Sequence, residues 1–384
     1  MNRVVVLGLM GQYPLGGMAW QVLHHLIGFR RLGCESFYVE NSGAPPYSPG
    51  RQSIVESATD NIKFLRNTFR HFNLSEAWAY YDCLTNRWFG MRKSAVQELL
   101  EHADLIVNLC GATLPDPDQR RKGCLVYIDT DPGLQQVQIA QGNRASRAYI
   151  ESHDVHFTYG WNVGETSSLI PSGGIVWLKT HPPVLADLWD APPGRRNDFW
   201  RTITTYHNKG KDVVIDGETY LWSKHPNFEQ VVDLPSRTGE RLEAAMTNID
   251  EPIRDRFLSY GWRLIDPYTV NKSAGSYRQY VLGAKGEFSV EKDSYVRLNS
   301  GWFSDRTVCF LATGRPCVVQ DTGFGARVPC GLGLLAWRTA EEAADALDRV
   351  AREYGKHARA ARAIALEFFE ARILLQPILD AVGL

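Results

Sequence analysis

Residues 299–324, NSGWFSDRTVCFLATGRPCVVQDTGF, hold the densest run of groups able to do chemistry. Ser300-Gly301 makes a turn, and Ser304 or Asp305 can cap the helix that follows. A capped start leaves backbone N–H groups pointing outward, and such a start attracts phosphate. Arg306 falls in the first turn, where a cation opposes the helix dipole unless an anion is bound. Gly314-Arg315-Pro316 ends the helix, and residues 316–320 (PCVVQ) read as a short buried strand. Asp321 and Thr322 stand in the loop at its carboxyl end, the end where open parallel sheets bind ligands. A second acidic group, Asp129-x-Asp131, follows the apolar run CLVYI. Carboxylates so spaced can hold Mn²⁺ or Mg²⁺ on a diphosphate, supply a general base, or form a turn and helix cap around Pro132. Lys209 and Lys211 stand just past another run, FWRTITTY, which contains Thr205.

Strands and helices must hold these groups in place. Residues 3–9 (RVVVLGL) read as a buried parallel strand, followed by a loop, GQYPLGG, at 11–17. Apolar spacing predicts a helix over 18–32, and residues 34–40 form a second strand. The loop that carries Gly16 and Gly17 can cradle a phosphate or sugar, or be a plain wide turn. It does not match GxGxxG, which argues against a nicotinamide dehydrogenase. Residues 41–52 read as a surface loop, and 53–72 and 91–102 as helices. The aromatic stretch between them, 78–90, can line an acceptor cleft or pack the two helices together. Strands follow at 105–110, 124–128 and 155–159, then a Pro-rich linker over 180–194. Strand–helix alternation restarts at Phe199. Residues 227–233 and 239–246 read as a short strand and a short helix. Helices at 254–261 and 276–282 alternate with strands at 263–265 and 287–290. After the chemistry-bearing stretch come a strand at 333–337, a helix capped by Thr339, and a final helix over 357–381 broken at Pro377.

The order GWFS, helix, Gly-Arg-Pro, strand, Gln-Asp-Thr-Gly resembles the nucleotide-sugar-binding segment of glycosyltransferases with the GT-B fold. Gly301-Trp302-x-Ser304 is similar to the GWNS core of the donor signature in plant-type glycosyltransferases. The whole segment resembles more closely a bacterial and phage group that includes spore-coat CgeB-like proteins. Asn299 stands where the plant-type signature has His, and no Glu falls within 305–309. The resemblance implies an α/β chain of two Rossmann-like domains with a cleft between them. Residues 1–195 would receive the acceptor, 196–360 would bind a nucleotide diphospho-sugar (a UDP-sugar), and 361–384 would cross back onto the N-terminal domain. It implies donor contacts from Gly16, Gly17, Thr205, Lys209, Glu287, Gly301, Trp302, Ser304, Asp305, Arg306, Asp321 and Thr322. It further implies no metal and no cofactor beyond the co-substrate, with Asp131, beside Asp129, as base on an acceptor hydroxyl. The acceptor can be a small molecule, a glycan or a hydroxymethylated base in phage DNA, for which basic groups at 120–122 and 195–196 are available. A sugar-nucleotide sensor without catalysis is the other reading. Inversion and retention are both open.

Composition sets the outer bounds. At 384 residues the chain has room for two domains. Its hydrophobic content of 44% and charged content of 22% are ordinary for a globular enzyme. A net charge of −1 gives no general pull toward nucleic acid or anionic membrane. The seven scattered cysteines, an odd number without a CxxC pair, read as reduced thiols in a cytoplasmic protein. No apolar run is long enough for a signal peptide or a membrane span. Eleven Trp and 16 Tyr mildly favour a cleft that stacks sugars or bases over a core alone.

Overall fold

A computed structural model of the chain describes residues 1–113, 121–190 and 196–384. Arg120, Arg195 and the Pro192-Pro193-Gly194 part of the expected linker lie outside the described residues. The β-branched run at the start forms the strand Arg3–Leu7, its last four residues fully covered, as a strand packed on both faces must be. Around it an eight-stranded sheet is built. Its spatial order is Leu178–Lys179, Val155–Thr158, Cys124–Asp129, Leu105–Leu109, Arg3–Leu7, Glu35–Glu40, Trp78–Asp82 and Arg87–Gly90. All neighbours are parallel except the last pair, an antiparallel edge hairpin. The second sheet runs Arg263–Ile265, Arg241–Thr247, Phe199–Thr205, Gly286–Ser289, Cys317–Gln320 and Leu334–Trp337, parallel throughout. Counted along the chain, the parallel strands of each sheet follow the doubly wound order 3-2-1-4-5-6, with a seventh added to the first sheet. Each sheet therefore has one switch point, between its first and fourth strands, where loops diverge and a ligand can enter.

The halves share an apolar core at their junction. Trp20, Leu26 and Phe29 of the helix Gly16–Arg31 belong to the same cluster as Val308, Phe310, Phe369 and Leu375. A second core, around Trp200, Phe257, Phe288 and Trp337, lies wholly in the C-terminal half. The last helix, Ala371–Asp380, crosses back onto Gly16–Arg31. Gly28 permits this approach: a Cβ there would sit 2.4 Å from Leu375 Cδ1.

Several elements differ from expectation. The helix Gly16–Arg31 starts two residues early and absorbs both glycines of the loop. Residues 227–233 and 239–246 exchange roles: the first region holds a short helix, His225–Glu229, and the second is the strand Arg241–Thr247. RLEAAMT has helix-forming residues, yet it pairs over its full length with Phe199–Thr205, so packing in the sheet overrides local preference. Residues 53–54 pair with Tyr47–Ser48 in a small hairpin, and the helix starts only at Thr59. The terminal helix breaks after a π-helical turn at Ala365–Phe369, not at Pro377, which sits on the solvent side of Ala371–Asp380. The aromatic stretch 78–90 is the edge hairpin of the first sheet.

Candidate functional site

The helix Asp305–Ala312 begins as its sequence requires. The Arg306 N–H donates to Ser304 Oγ at 3.2 Å and to Asp305 Oδ1 at 2.9 Å. Its first turn faces the N-terminal half across a cleft of about 590 Å³. Gly17 and Leu15 form the opposite wall; Thr204, Thr205, Lys224, Lys292 and Trp302 complete it with Ser304, Asp305 and Arg306. The cleft thus opens beyond the carboxyl end of Phe199–Thr205, at the switch point of the second sheet. Gly17 N donates to Asn271 Oδ1 at 2.9 Å, tying the two walls together.

Of the twelve expected donor contacts, six line this cleft: Gly17, Thr205, Trp302, Ser304, Asp305 and Arg306. The other six do not line it, and five of them make structural contacts. Gly16 is buried where a Cβ would meet Ser273 O at 2.4 Å, so it seats one helix on another. Gly301, at φ +70, lies where a Cβ would come within 2.9 Å of Asn162 N. Its own N–H donates to Thr322 O at 2.7 Å. Asn162 N donates to Ser300 O at 3.1 Å and Trp302 Nε1 to Thr130 O at 2.9 Å, so the GWFS turn is a seam between the halves. Thr322 Oγ1 closes that turn on Trp302 O. Asp321 accepts from Arg338 and Gly323 outside the cleft. Lys209 is exposed and lines neither wall.

Glu287 lies beneath the floor, wholly buried against Arg306. Arg306 is not left waiting for an anion. Its Nε donates to Glu287 Oε1 at 2.5 Å, its Nη2 to Ser289 Oγ at 2.5 Å and its Nη1 to Ile203 O at 3.0 Å. Burial works against its charge, but Glu287 and Glu291 outweigh that and keep it protonated. The two lysines are placed differently. Lys224 Nζ donates to Val290 O at 2.6 Å and to Glu291 at 3.3 Å, while burial brings its pKa down to about 8. Lys292 Nζ lies 4.0 Å above the Trp222 ring centroid and donates to Asp131 at 2.9 Å. Neither lysine figured among the expected contacts. Lys292 was reachable from the sequence, since it stands three residues past the strand Gly286–Ser289, beside the switch point. Lys224 follows no long strand, and nothing in the sequence marks it.

The carboxylates also depart from expectation. Asp131 accepts from Lys292 at 2.9 Å, Lys211 at 2.8 Å and Trp222 Nε1 at 2.8 Å, all from the C-terminal half. Burial would raise its pKa, but the two ammonium groups prevail and bring it to about 2. A carboxylate held so strongly as an anion is a weak base, and these three bonds tie Asp131 to the C-terminal half. Asp129 is buried and accepts from Gln136 Nε2 at 2.6 Å and Thr158 Oγ1 at 2.9 Å, with burial lifting its pKa to about 6. It anchors the loop and is not among the groups that line the cleft. Asp305 is the acidic side chain that lines the cleft, and burial raises its pKa. Among the described residues no group of three or more His, Cys, Asp or Glu is placed to hold a metal ion, and no helix is long and apolar enough to cross a membrane. Of the basic groups offered for DNA, Arg121 pairs with Asp154 and Arg196 lies over the Tyr354 ring, while Lys122 is exposed.

Within the first half, the Gly-containing loop is set from below. Glu40 accepts from Gly11 N at 2.5 Å, Gln12 N at 2.6 Å and the Tyr38 hydroxyl. Asn61 Nδ2 donates to Gly11 O at 2.7 Å and Tyr47 O at 3.1 Å.

No family model matches this chain, and no curated protein is detectably similar in sequence. Solved structures are similar over the whole chain. AviGT4, a glycosyltransferase involved in avilamycin A biosynthesis, matches with a TM-score of 0.58 and 11% identity, covering 100% of this chain and 97% of its own. An alpha-glucosyltransferase in complex with UDP and a 13-mer DNA containing an HMU base matches at 0.62 and 10%, covering 100% and 99%. HepE from Anabaena, in complex with UDP-glucose, matches at 0.61 and 12%, covering 100% of both chains. The chain therefore has the GT-B fold, two Rossmann-like domains facing each other across a cleft.

Proposed function

We propose that this protein is a glycosyltransferase that moves a sugar, a hexose, from a UDP-sugar to an acceptor hydroxyl without a metal ion. One observation carries the reading. Lys224, Lys292 and the first turn of Asp305–Ala312 line one wall of the interdomain cleft, facing the Gly17 wall. Two ammonium groups and a helix start there suit a diphosphate, whose negative charge grows as the sugar leaves. Residues 196–360 hold the donor, 1–195 present the acceptor, and 361–384 brace the two. In this reading Asp305, the acidic side chain that lines the cleft, takes the acceptor proton in place of Asp131 or Asp129. The resemblance of the segment at 299–324 to CgeB-like glycosyltransferases supports this reading. A cytoplasmic setting fits its seven free cysteines. The fold neighbours that carry UDP or UDP-glucose support the choice of donor.

The test is a thermal-shift series with UDP, UDP-glucose, GDP and AMP, followed by donor hydrolysis in excess EDTA. A nucleotide at a hundred times its dissociation constant should add about 2.7 kcal/mol of stability. Stabilisation by UDP with slow, EDTA-resistant release of sugar is expected. Stabilisation by none of the four contradicts the reading. Binding without turnover would make the protein a sensor, and turnover restored only by Mn²⁺ would overturn metal independence.

A further inference from the structure

A second cleft of about 520 Å³ lies beside the first, within the size range of roughly 300–1,000 Å³ typical of small-molecule sites. The two share Tyr47, Pro49 and Tyr268 as a dividing wall. The wall is a contact between the halves: a Cβ on Gly50, at the turn after Tyr47–Ser48, would lie 3.7 Å from the Tyr268 ring. One side of the second cleft is the outer face of the helix Thr59–His71, and the other is the segment 272–275.

Its chemistry differs from that of the first cleft. There the cations are bound to carboxylates. Here the side chains of Asp60, Lys63, Asn67 and Lys272 make no hydrogen bond or ion pair with other described residues, although they line one cavity. They offer donors and acceptors together, and the rings of Phe64 and Tyr268 offer apolar faces. A sugar has the same make-up, with hydroxyls that both donate and accept and a C–H face that lies on a ring. One carboxylate against two lysines is too little positive charge for a run of phosphates, so the cleft does not suit a nucleic acid backbone.

We propose that the second cleft binds the body of a neutral oligosaccharide acceptor, whose terminal hydroxyl reaches over the Tyr47–Tyr268 wall to the donor. This rests on the glycosyltransferase reading and narrows its acceptor to a glycan of two or more units. The test is calorimetric titration of the protein with maltotriose, cellotriose, chitotriose, glucose and a short DNA duplex, each with and without UDP. Asn67→Ala and Lys63→Ala are run in parallel; both positions are exposed, and both variants should melt with the wild type. At least one trisaccharide should bind more tightly than glucose, and each variant should weaken it by about three- to tenfold, the worth of a hydrogen bond, with UDP affinity unchanged. No trisaccharide binding, affinity equal to that for glucose, affinity untouched by both variants, or preferred binding of the duplex would each overturn the subsite. UDP binding without oligosaccharide binding refutes the subsite alone. Oligosaccharide binding without UDP binding refutes the donor reading alone.

Discussion

The two halves use the same strand order to opposite electrostatic ends. In the N-terminal half the loop at the switch point is held by one buried carboxyl, Glu40, and one amide, Asn61, both bonded to backbone. In the C-terminal half the equivalent region is packed with ion pairs: Arg306 with Glu287 and Lys224 with Glu291. The first arrangement fixes the shape of a backbone wall. The second fixes charges, and its lysines meet the cleft. A shared scaffold thus supplies a backbone wall and a charged wall, which suits the proposed transfer from an anionic donor to a neutral hydroxyl.

Removing a charge from the C-terminal half should have the largest effect. Arg306→Ala leaves Glu287 buried and unpaired, and breaking a buried pair in this way costs about 3–5 kcal/mol. Chemical denaturation should show that loss in the ligand-free protein. A melt equal to wild type would mean that Arg306 serves a ligand and not the fold.

The N-terminal half should reveal itself through pH. Burial raises the Glu40 pKa from 4.5 to about 7 against the pull of its hydrogen bonds. The folded chain therefore keeps a proton that the unfolded chain has released. Stability from this group is full below about pH 4.5 and declines as pH rises to about 7, by about 3 kcal/mol in all. Denaturant midpoints of wild type and Glu40→Gln, compared from pH 4.5 to 8, should diverge with that sign. Parallel profiles would show that Glu40 is ionised throughout.

Asp131 joins the halves, so its loss probes the contact between them. Asp131→Asn sets the ammonium groups of Lys211 and Lys292 against each other. Lys211 is 45% exposed, and solvent screens its share, so the cost should be about 1–2 kcal/mol. UDP affinity should hold or rise, because an anion near the cleft has been removed. Unchanged affinity with a collapsed turnover rate and no loss of stability would restore Asp131 as the base. The smallest effect belongs to Lys209→Ala. This exposed side chain should change stability and UDP affinity by less than about 0.5 kcal/mol.

Much of this was legible in the chain. Buried β-branched runs such as VVV at 4–6 and the Pro-rich restart before Phe199 exposed two doubly wound units. Ser304 announced its helix because capping is a local rule. What stayed hidden depended on partners distant in sequence. Arg306 looked like an anion receptor until Glu287, nineteen residues earlier, was placed beneath it. Asp131 looked like a base until Lys211 and Lys292 closed on it from the other half. Arg241–Thr247 looked helical because nothing local reveals a neighbouring strand.

The central claim is that the charged wall of the C-terminal half receives a nucleoside diphosphate. Titration of UDP into wild type and Lys292→Ala by calorimetry tests it most directly, with a melt of each free protein. One UDP should bind the wild type, and the variant should lose about 1.5–3 kcal/mol of binding, the worth of a hydrogen bond to a charged group, while Lys211 still pairs with Asp131. Absence of UDP binding to the wild type, or equal binding by both proteins, would contradict the account.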